Sequence, residues 1–246
     1  SIHILSSRFE KIKKYDLKII DKIYQLIEDC KNFGTLAFAH AARAGFVAVT
    51  ILKSLVKLGS LSQDRMLEFQ ASTPTVASEF QSALNENSLS IKDLIEKFGH
   101  LRPGTYDVNQ LAYWENPNFY FARNRRSTFV KEIKNNTFTF NDQERKGLQH
   151  VLENLSLKID VNDLINYFRR AIQERENVKF LFTKNLSFAL DLMIKYGIEE
   201  LDLKREDVGY FTYDDIIELR NLKLDKKMFL KLIETRKLDV GEKHLS

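Results

Sequence analysis

The sequence predicts an all-α fold: a multi-helix bundle with one long loop that contains proline and glycine. The chain of 246 residues has only three prolines and nine glycines, too few for the many turns of an all-β fold. Apolar residues also recur at helical spacing along most of the chain, with charged residues between them. No repeat, low-complexity block or linker divides the sequence, so we expect residues 1–246 to form a single helical domain.

The first two predicted helices lie before residue 60. Isoleucine and leucine at helical spacing predict one helix over residues 8–32, and Gly34 is expected to separate it from the next. That next helix, over residues 33–58, is rich in alanine, and Gly59 is placed to cap its end. Three charged or titratable residues interrupt it: His40, Arg43 and Lys53. The helix is long enough for a membrane span, but charges are costly there, which favours a central buried helix of a soluble bundle.

Shorter elements follow on either side of the loop. Pro74 is expected to split a helix, and Ser90 is expected to cap a short helix that ends at Phe98. Residues 121–133 are predicted to be helical and basic. Phenylalanine and threonine alternate around residues 138–140, which suggests an extended segment.

The last part of the chain contains the longest periodic run. A helix is predicted from Asn141 to about Asn154, and a longer one over residues 161–196 that Gly197 is expected to stop. Two short helices, 216–220 and 226–235, close the chain.

Composition excludes several classes of function. The single cysteine, Cys30, permits no internal disulfide, and its helical context indicates a buried structural thiol. The net charge of +4 is too small and too evenly spread to imply nucleic-acid or membrane binding. A basic cluster is best interpreted as a solvated helix face: Arg123, Arg125 and Arg126. No signal peptide opens the sequence, so a cytoplasmic protein is expected.

The common catalytic motifs are also absent from the sequence. It contains no glycine-rich phosphate loop, no His-Glu-x-x-His helix and no Gly-x-Ser-x-Gly elbow. The five histidines lie far apart and lack the spacing of metal ligands, so no metal site is expected.

Residues 99–117, which we call the Pro/Gly loop, contain two of the three prolines and the only tryptophan, Trp114. Five polar side chains with useful chemistry lie in the loop: His100, Arg102, Thr105, Tyr106 and Asp107. A planar guanidinium suits phosphate or carboxylate, so these residues are candidates for substrate binding. The alternative is a structural turn in which Arg102 pairs with Asp107 and His100 caps the preceding helix.

A second group of candidate residues lies on two predicted helices. Arg175 and Lys179 are four residues apart and share one side of the longest helix, where they could form a cationic wall for an anionic group. The alternative is an ion pair of Lys179 with Glu176. Arg43 could border a cavity shared with Arg175, whereas the simpler interpretation is a buried, hydrogen-bonded His40 with Arg43 reaching outward.

The Pro/Gly loop also carries a family resemblance. It reads GHLRPGTYD over residues 99–107 and ENP over residues 115–117. This pattern resembles the central helical region of phosphoenolpyruvate-synthase-like proteins, a superfamily that includes pyruvate phosphate dikinase and rifampin phosphotransferase. Residues 175–187 and 205–216 resemble other parts of the same region. Together, the resemblance spans residues 33–220.

The resemblance implies a domain of a larger, ATP- and Mg²⁺-dependent phosphotransferase. Its partners would be an ATP-grasp domain and a phosphohistidine domain of the same polypeptide, together with a small-molecule acceptor, and not nucleic acid or a membrane. The chain has no match to the Thr-Ser-His motif of the phosphohistidine domain, so His100 is not the phosphate carrier, and no cofactor is expected to bind this domain itself. We therefore expect an acceptor-binding helical domain; the alternative is a stand-alone helical interaction module without catalysis.

The resemblance also suggests roles for the candidate residues, although none is assigned as catalytic. Arg102, with Arg175 or Lys179, would bind an anionic acceptor or the incoming phosphohistidine. His100 or Asp107 would orient or deprotonate an acceptor hydroxyl. Two aromatic residues would form the walls of the pocket: Tyr106 and Trp114.

Overall fold

The computed structural model describes residues 2–85, 89–122 and 138–243, and regular structure in these ranges is entirely helical. The predicted all-α class is therefore confirmed. The α-helices in chain order are α1 (Ile2–Lys14), α2 (Ile19–Asp29), α3 (Thr35–Lys57), α4 (Gln63–Ser72), α5 (Val76–Asn85), α6 (Ile91–Phe98), α7 (Asp142–Asn154), α8 (Val161–Glu199), α9 (Tyr213–Arg220) and α10 (Lys226–Lys243). Shorter helical segments are the π-helical Cys30–Gly34 and Asn118–Ala122 and the 3₁₀-helical Tyr113–Glu115 and Arg205–Tyr210.

The chain divides into two compact units, each assembled from separate stretches of sequence. The first unit comprises Ser1–Thr35, Ile95–Tyr120 and Leu181–Ser246. The second comprises Leu36–Leu94 and Phe121–Phe180. This division does not test whether residues 1–246 form a single domain, which stays a prediction.

The core of the second unit is built around aromatic rings. The ring of Phe69 on α4 lies 5.5 Å from that of Phe138, 5.2 Å from that of Phe140 and 6.4 Å from that of Phe168 on α8. Residues 138–140 are not helical, and both phenylalanines are buried while Thr139 between them is exposed. The alternation in the sequence thus marked the residues that pack into this core, as expected for an extended segment.

The first unit has several small apolar clusters, one of which positions the Pro/Gly loop. Helices α2, α9 and α10 share a cluster that includes the buried Ile23, Ile216 and Phe229. Val108 of the loop packs with Ile194 of α8 and with Val208. Apolar burial therefore holds the middle of the loop against the last turns of α8.

The start of the chain differs from the prediction. The run 8–32 is not one helix, because α1 ends at Lys14 and α2 begins at Ile19. Gly34 does not break the chain either, because the π-helical segment joins α2 directly to α3. A Cβ atom on Gly34 would lie 2.5 Å from the ring of Phe182, so the glycine is required there for close packing.

Helix α3 is not the central buried helix that its composition suggested. Only one stripe of it is buried: Gly45, Ala48, Leu52 and Leu55. Leu36 and Phe46 are more than 60% exposed, at 62% and 63%. Within the described residues, the helical run Ile19–Lys57 has the length and composition of a membrane span, and 17% of its most apolar window is buried. Signal sequences and core helices of soluble proteins also have these properties.

The other helix boundaries follow mostly from local signals. Gly59 adopts a positive φ of 72° after α3, Pro74 separates α4 from α5, and the Ser90 hydroxyl accepts the backbone N–H of Asp93, as predicted. Gly197 does not stop α8, which continues to Glu199. The glycine instead allows close packing, because a Cβ atom at this position would lie 2.9 Å from the side chain of Val208. Most of the predicted basic helix at 121–133 lies outside the described residues.

Candidate functional site

The Pro/Gly loop is closed by hydrogen bonds between its own two ends. The N–H of Tyr113 donates to the carbonyl of Leu101 at 2.8 Å, and the N–H of Trp114 donates to the carbonyl of Gly99 at 3.0 Å. A Cβ atom on Gly99 would lie 2.3 Å from the carbonyl oxygen of Ile95 and 3.1 Å from Trp114 Cβ. Glycine at this position therefore allows the loop to fold back onto the end of α6.

Arg102 anchors the loop to α8. Its side chain is fully buried, and Nη2 donates to Asp191 Oδ1 at 2.6 Å and to Ser187 Oγ at 3.1 Å. The Ser187 hydroxyl donates in turn to the carbonyl of His100 at 2.8 Å. The predicted partner Asp107 is instead exposed and accepts the N–H of Asn109 at 2.9 Å. The alternative pairing of Arg102 with Asp107 was therefore wrong, because a contact with α8 lets the guanidinium pair while buried.

A second arginine fixes the far end of the loop. Arg205 forms a two-pronged ion pair with Glu115, at 2.6 Å and 3.0 Å, and its Nε donates to the carbonyl of Val108. Glu115 Oε2 also accepts the N–H of Ala112 at 2.7 Å. Burial raises the pKa of Glu115, but the bonds from Arg205 and Ala112 outweigh it, and the pKa lies below its usual value. This carboxylate is therefore ionised at neutral pH.

Asp191 has a different electrostatic environment. Burial raises its pKa, and the charge and hydrogen bond of Arg102 only partly oppose this effect. Oδ2 of Asp191 is shielded from water and has no hydrogen-bond partner among the described residues. The side chain is 21% exposed overall. Oδ2 therefore keeps an unused capacity to accept a hydrogen bond, although water does not reach it in this structure.

Asp191 lines an open cavity of about 330 Å³ beside the Pro/Gly loop. The lining residues are Trp114, Glu115, Asp191, Ile194, Lys195, Ile198, Glu199 and Arg205. Both lining cations are already paired with lining carboxylates: Arg205 with Glu115, and Lys195 with Glu199 at 3.8 Å. The described lining therefore combines the aromatic side chain of Trp114 with three carboxylates and two cations.

Asp191 was not identified from the sequence. The signal for it was a polar row on α8, since Ser187, Asp191 and Lys195 follow one another at four-residue spacing. Of the residues proposed as pocket walls, Trp114 lines the cavity and Tyr106 does not.

The remaining loop candidates do not line this cavity. His100 is 1% exposed and Thr105 is partly buried. Tyr106 is 52% exposed, and burial of part of its ring raises its pKa against the opposing hydrogen bond with Thr183. Direct contact of His100 with an acceptor would require the loop to open, because its side chain is enclosed.

The helix candidates lie in the second compact unit, whereas the loop candidates lie in the first. Arg175 pairs with its neighbour Glu176 at 2.8 Å, and the alternative pairing of Glu176 with Lys179 stays a prediction. Lys179 and Arg43 are exposed, and His40 is exposed rather than buried. His40 and Arg43 face solvent because they lie outside the buried stripe of α3, which consists of Gly45, Ala48, Leu52 and Leu55.

No cluster of three or more metal-ligating side chains occurs in the part of the chain that the structure describes. Comparison with protein-family models, with curated proteins and with solved structures found no match for this chain.

Proposed function

We propose that this chain is the acceptor-binding helical domain of an ATP-dependent phosphotransferase of the phosphoenolpyruvate-synthase-like kind. The ATP-grasp and phosphohistidine domains would be supplied by other parts of the same polypeptide, which would act in the cytoplasm with ATP and Mg²⁺. The proposal rests on the loop sequence GHLRPGTYD at residues 99–107. The single structural observation that supports it is the half-paired carboxylate of Asp191 in the cavity beside this loop.

Asp191 is the proposed general base for the acceptor. A phosphoryl group moves to a hydroxyl more readily when a nearby base removes the hydroxyl proton. Arg102 holds Oδ1 of Asp191 at 2.6 Å, and Oδ2 has no hydrogen-bond partner among the described residues but is shielded from water, so an acceptor would reach it only after the cavity lining moves. The raised pKa of Asp191 brings it closer to neutral pH, where a carboxylate is a more effective base. This role replaces the one expected for His100 or Asp107.

The lining of the cavity favours a neutral, hydroxylated acceptor over an anionic one. The described lining holds three carboxylates and only two cations, Lys195 and Arg205, and both cations contact carboxylates, so the lining does not favour an anion. Trp114 offers a flat apolar surface on which a sugar-like ring could stack. The expected role of Arg102 as an anion ligand is not part of this proposal, because its buried guanidinium is occupied by Asp191 and Ser187.

A second candidate function is a helical interaction module without catalysis. The exposed apolar side chains of α3, Leu36 and Phe46, favour it, because large apolar residues on a surface are typical of binding faces. The two functions differ in what lies on either side of the chain. Flanking segments that encode ATP-grasp and phosphohistidine domains would support the phosphotransferase, and their absence would support the interaction module.

The proposal is tested in two steps with labelled ATP and Mg²⁺. The chain of 246 residues alone is expected to acquire no label, and a stoichiometric histidine-linked label would contradict the assignment as an acceptor domain. In the full polypeptide, Asp191→Asn should leave phosphorylation of the histidine intact and slow release of the phosphoryl group to the acceptor by about 100-fold or more. The matched control is Asp214→Asn, at an exposed position of the same unit. Equal rates for both variants would refute the role of Asp191.

A further inference from the structure

The second compact unit contains a larger cavity that the proposed function does not use. Its volume is about 460 Å³, within the range of small-molecule sites. The lining residues are Ser72, Pro74, Phe138, Thr139, Phe140, Arg145, Asn162, Ile165, Asn166 and Arg169. All of them belong to the second unit.

Two arginines give this cavity a positive charge. Arg145 uses Nη2 to donate to Asn162 Oδ1 at 2.6 Å, and Arg169 uses Nη2 to donate to the carbonyl of Phe138 at 2.7 Å. Among the described residues neither forms an ion pair, and no described carboxylate lines the cavity. Both guanidiniums are only partly buried and keep their other N–H groups for a ligand.

The arrangement differs from that of Arg65 in the same unit. The guanidinium carbon of Arg65 lies 4.0 Å from the centre of the Phe138 ring. This arginine forms ion pairs with Glu144 at 2.8 Å and with Glu68 at 2.8 Å. Among the described residues Arg145 and Arg169 have no such partners, and each is hydrogen-bonded to a neutral group. Two restrained and uncompensated guanidiniums around one cavity form an anion site.

The opposite part of the lining is apolar. Phe138, Phe140 and Ile165 belong to the lining and are each less than 9% exposed as residues, so core packing holds them in place. One face of α8 brings the polar and apolar parts together, because Asn162, Ile165, Asn166 and Arg169 recur at three- and four-residue spacing. A ligand that filled the cavity would thus meet charge and apolar surface at once.

We propose that this cavity binds a small phosphate monoester whose ester group is aromatic or otherwise apolar. A phosphate monoester carries a charge of about −1.5 to −2 at neutral pH, which matches two guanidiniums better than a single carboxylate does. The apolar group would lie against Phe138, Phe140 and Ile165, and the amides of Asn162 and Asn166 would donate to ester or phosphate oxygens. This site does not depend on the proposed phosphotransferase function.

The test is calorimetric titration of the 246-residue chain with 1-naphthyl phosphate, inorganic phosphate and 1-naphthol. The naphthyl ester is expected to bind saturably and at least about tenfold more tightly than inorganic phosphate, because only the ester buries apolar surface. The naphthol lacks the charge and should bind at least about tenfold more weakly than the ester. Absence of saturable binding of the ester up to about 10 mM would overturn the proposal.

Variants decide whether the binding occurs in this cavity. Arg145→Gln and Asn166→Asp should each weaken the naphthyl ester by about tenfold or more, the first by removing a cation and the second by adding an opposing charge. Neither should unfold the chain, since Arg145 bonds only the exposed Asn162 and Asn166 is exposed; circular dichroism checks this. Arg170→Gln, at an exposed position next to Arg169 in the sequence, is the matched control and should change affinity less than about twofold. Unchanged affinity in both test variants, or equal loss in the control, would overturn the site.

Discussion

Replacement of Arg102 by methionine tests whether the buried ion pair holds the Pro/Gly loop on α8. The side chain of Arg102 is 0% exposed and that of Asp191 is 21% exposed. Removal of one partner from a buried pair typically costs about 3–5 kcal/mol, because the other charge remains uncompensated. Since Asp191 keeps some access to water, we expect the lower figure, about 3 kcal/mol. This value includes the loss of the hydrogen bonds that Arg102 donates to the Ser187 hydroxyl and to the carbonyl of Gln110.

The loss should depend on pH in a defined direction. The pKa of Asp191 is raised by burial, so the folded state retains a proton that the unfolded state has already lost. The contribution of this group to stability therefore falls as pH rises from the ordinary towards the raised pKa. Without Arg102 the pKa should rise further, because the charge and hydrogen bond that lower it are gone. The deficit of Arg102→Met should thus be largest near neutral pH and smaller in acid.

Urea unfolding followed by tryptophan fluorescence measures this effect directly, because the single tryptophan, Trp114, lies in the loop itself. With a slope of about 3 kcal/mol per molar urea, the midpoint should fall by about 1 M. Arg220→Met is the matched control: its ion pair with Asp21 is 39% and 34% exposed, and its loss should cost less than about 1 kcal/mol.

A double-mutant cycle with Asp191→Asn separates the pair from other effects of the substitution. The two losses should not add, and the coupling energy should be about 2 kcal/mol. Additive losses, or a midpoint for Arg102→Met that matches the control, would refute the anchoring role of the ion pair.

Three further predictions concern stability and reactivity. Gly99→Ala should lower the free energy of unfolding in urea by about 3 kcal/mol, because the added Cβ atom would lie 2.3 Å from the carbonyl oxygen of Ile95. Gly59→Ala places its Cβ atom at no contact within 4 Å and should cost only about 1 kcal/mol, for its positive φ. Equal costs for the two substitutions would contradict the packing argument. Burial raises the pKa of Asp215, but the bonds from Arg236 and from the backbone and side chain of Thr212 lower it more, so the stability from this group should be present at neutral pH and lost as pH falls through the lowered pKa. Arg236→Gln should therefore lose about 2 kcal/mol at pH 7 and less in acid, and a loss that does not vary with pH would contradict this. Burial raises the pKa of the Cys30 thiol to about 11, so a disulfide reagent at pH 8 should label it only in urea, and rapid labelling of the folded chain would contradict its burial.

Local signals in the sequence accounted for much of the secondary structure. The caps at Gly59 and Ser90 and the helix start at Asn141 were predicted because such signals depend on residues within a few positions. Gly34 and Gly197 were misassigned as breaks for the opposite reason. Each makes room for a side chain from elsewhere, Phe182 and Val208, and no local pattern distinguishes a glycine that packs from one that turns.

The candidate site was only partly predictable. The loop was recognised by its unusual composition. Trp114 within it lines a cavity, whereas Arg102, expected to bind a ligand, is paired with Asp191. The position of Asp191 in the cavity lining was not predicted, since an aspartate on a long amphipathic helix resembles a solvent-facing charge. Its raised pKa follows from burial, which the sequence does not reveal.

The sequence by itself determined the helical class and the position of the loop, because periodicity, proline and glycine act over short distances along the chain. Only the tertiary structure decided which charges are paired. Arg102 meets Asp191 across 89 residues and Arg205 meets Glu115 across 90. Alternative partners were closer in sequence, including Asp107 for Arg102. Burial selects among such partners, since a charge that leaves water requires a partner that the fold brings to it. In the folded chain, the Pro/Gly loop is therefore held on α8 by the ion pair of Arg102 with Asp191, and its residues Trp114 and Glu115 line the cavity.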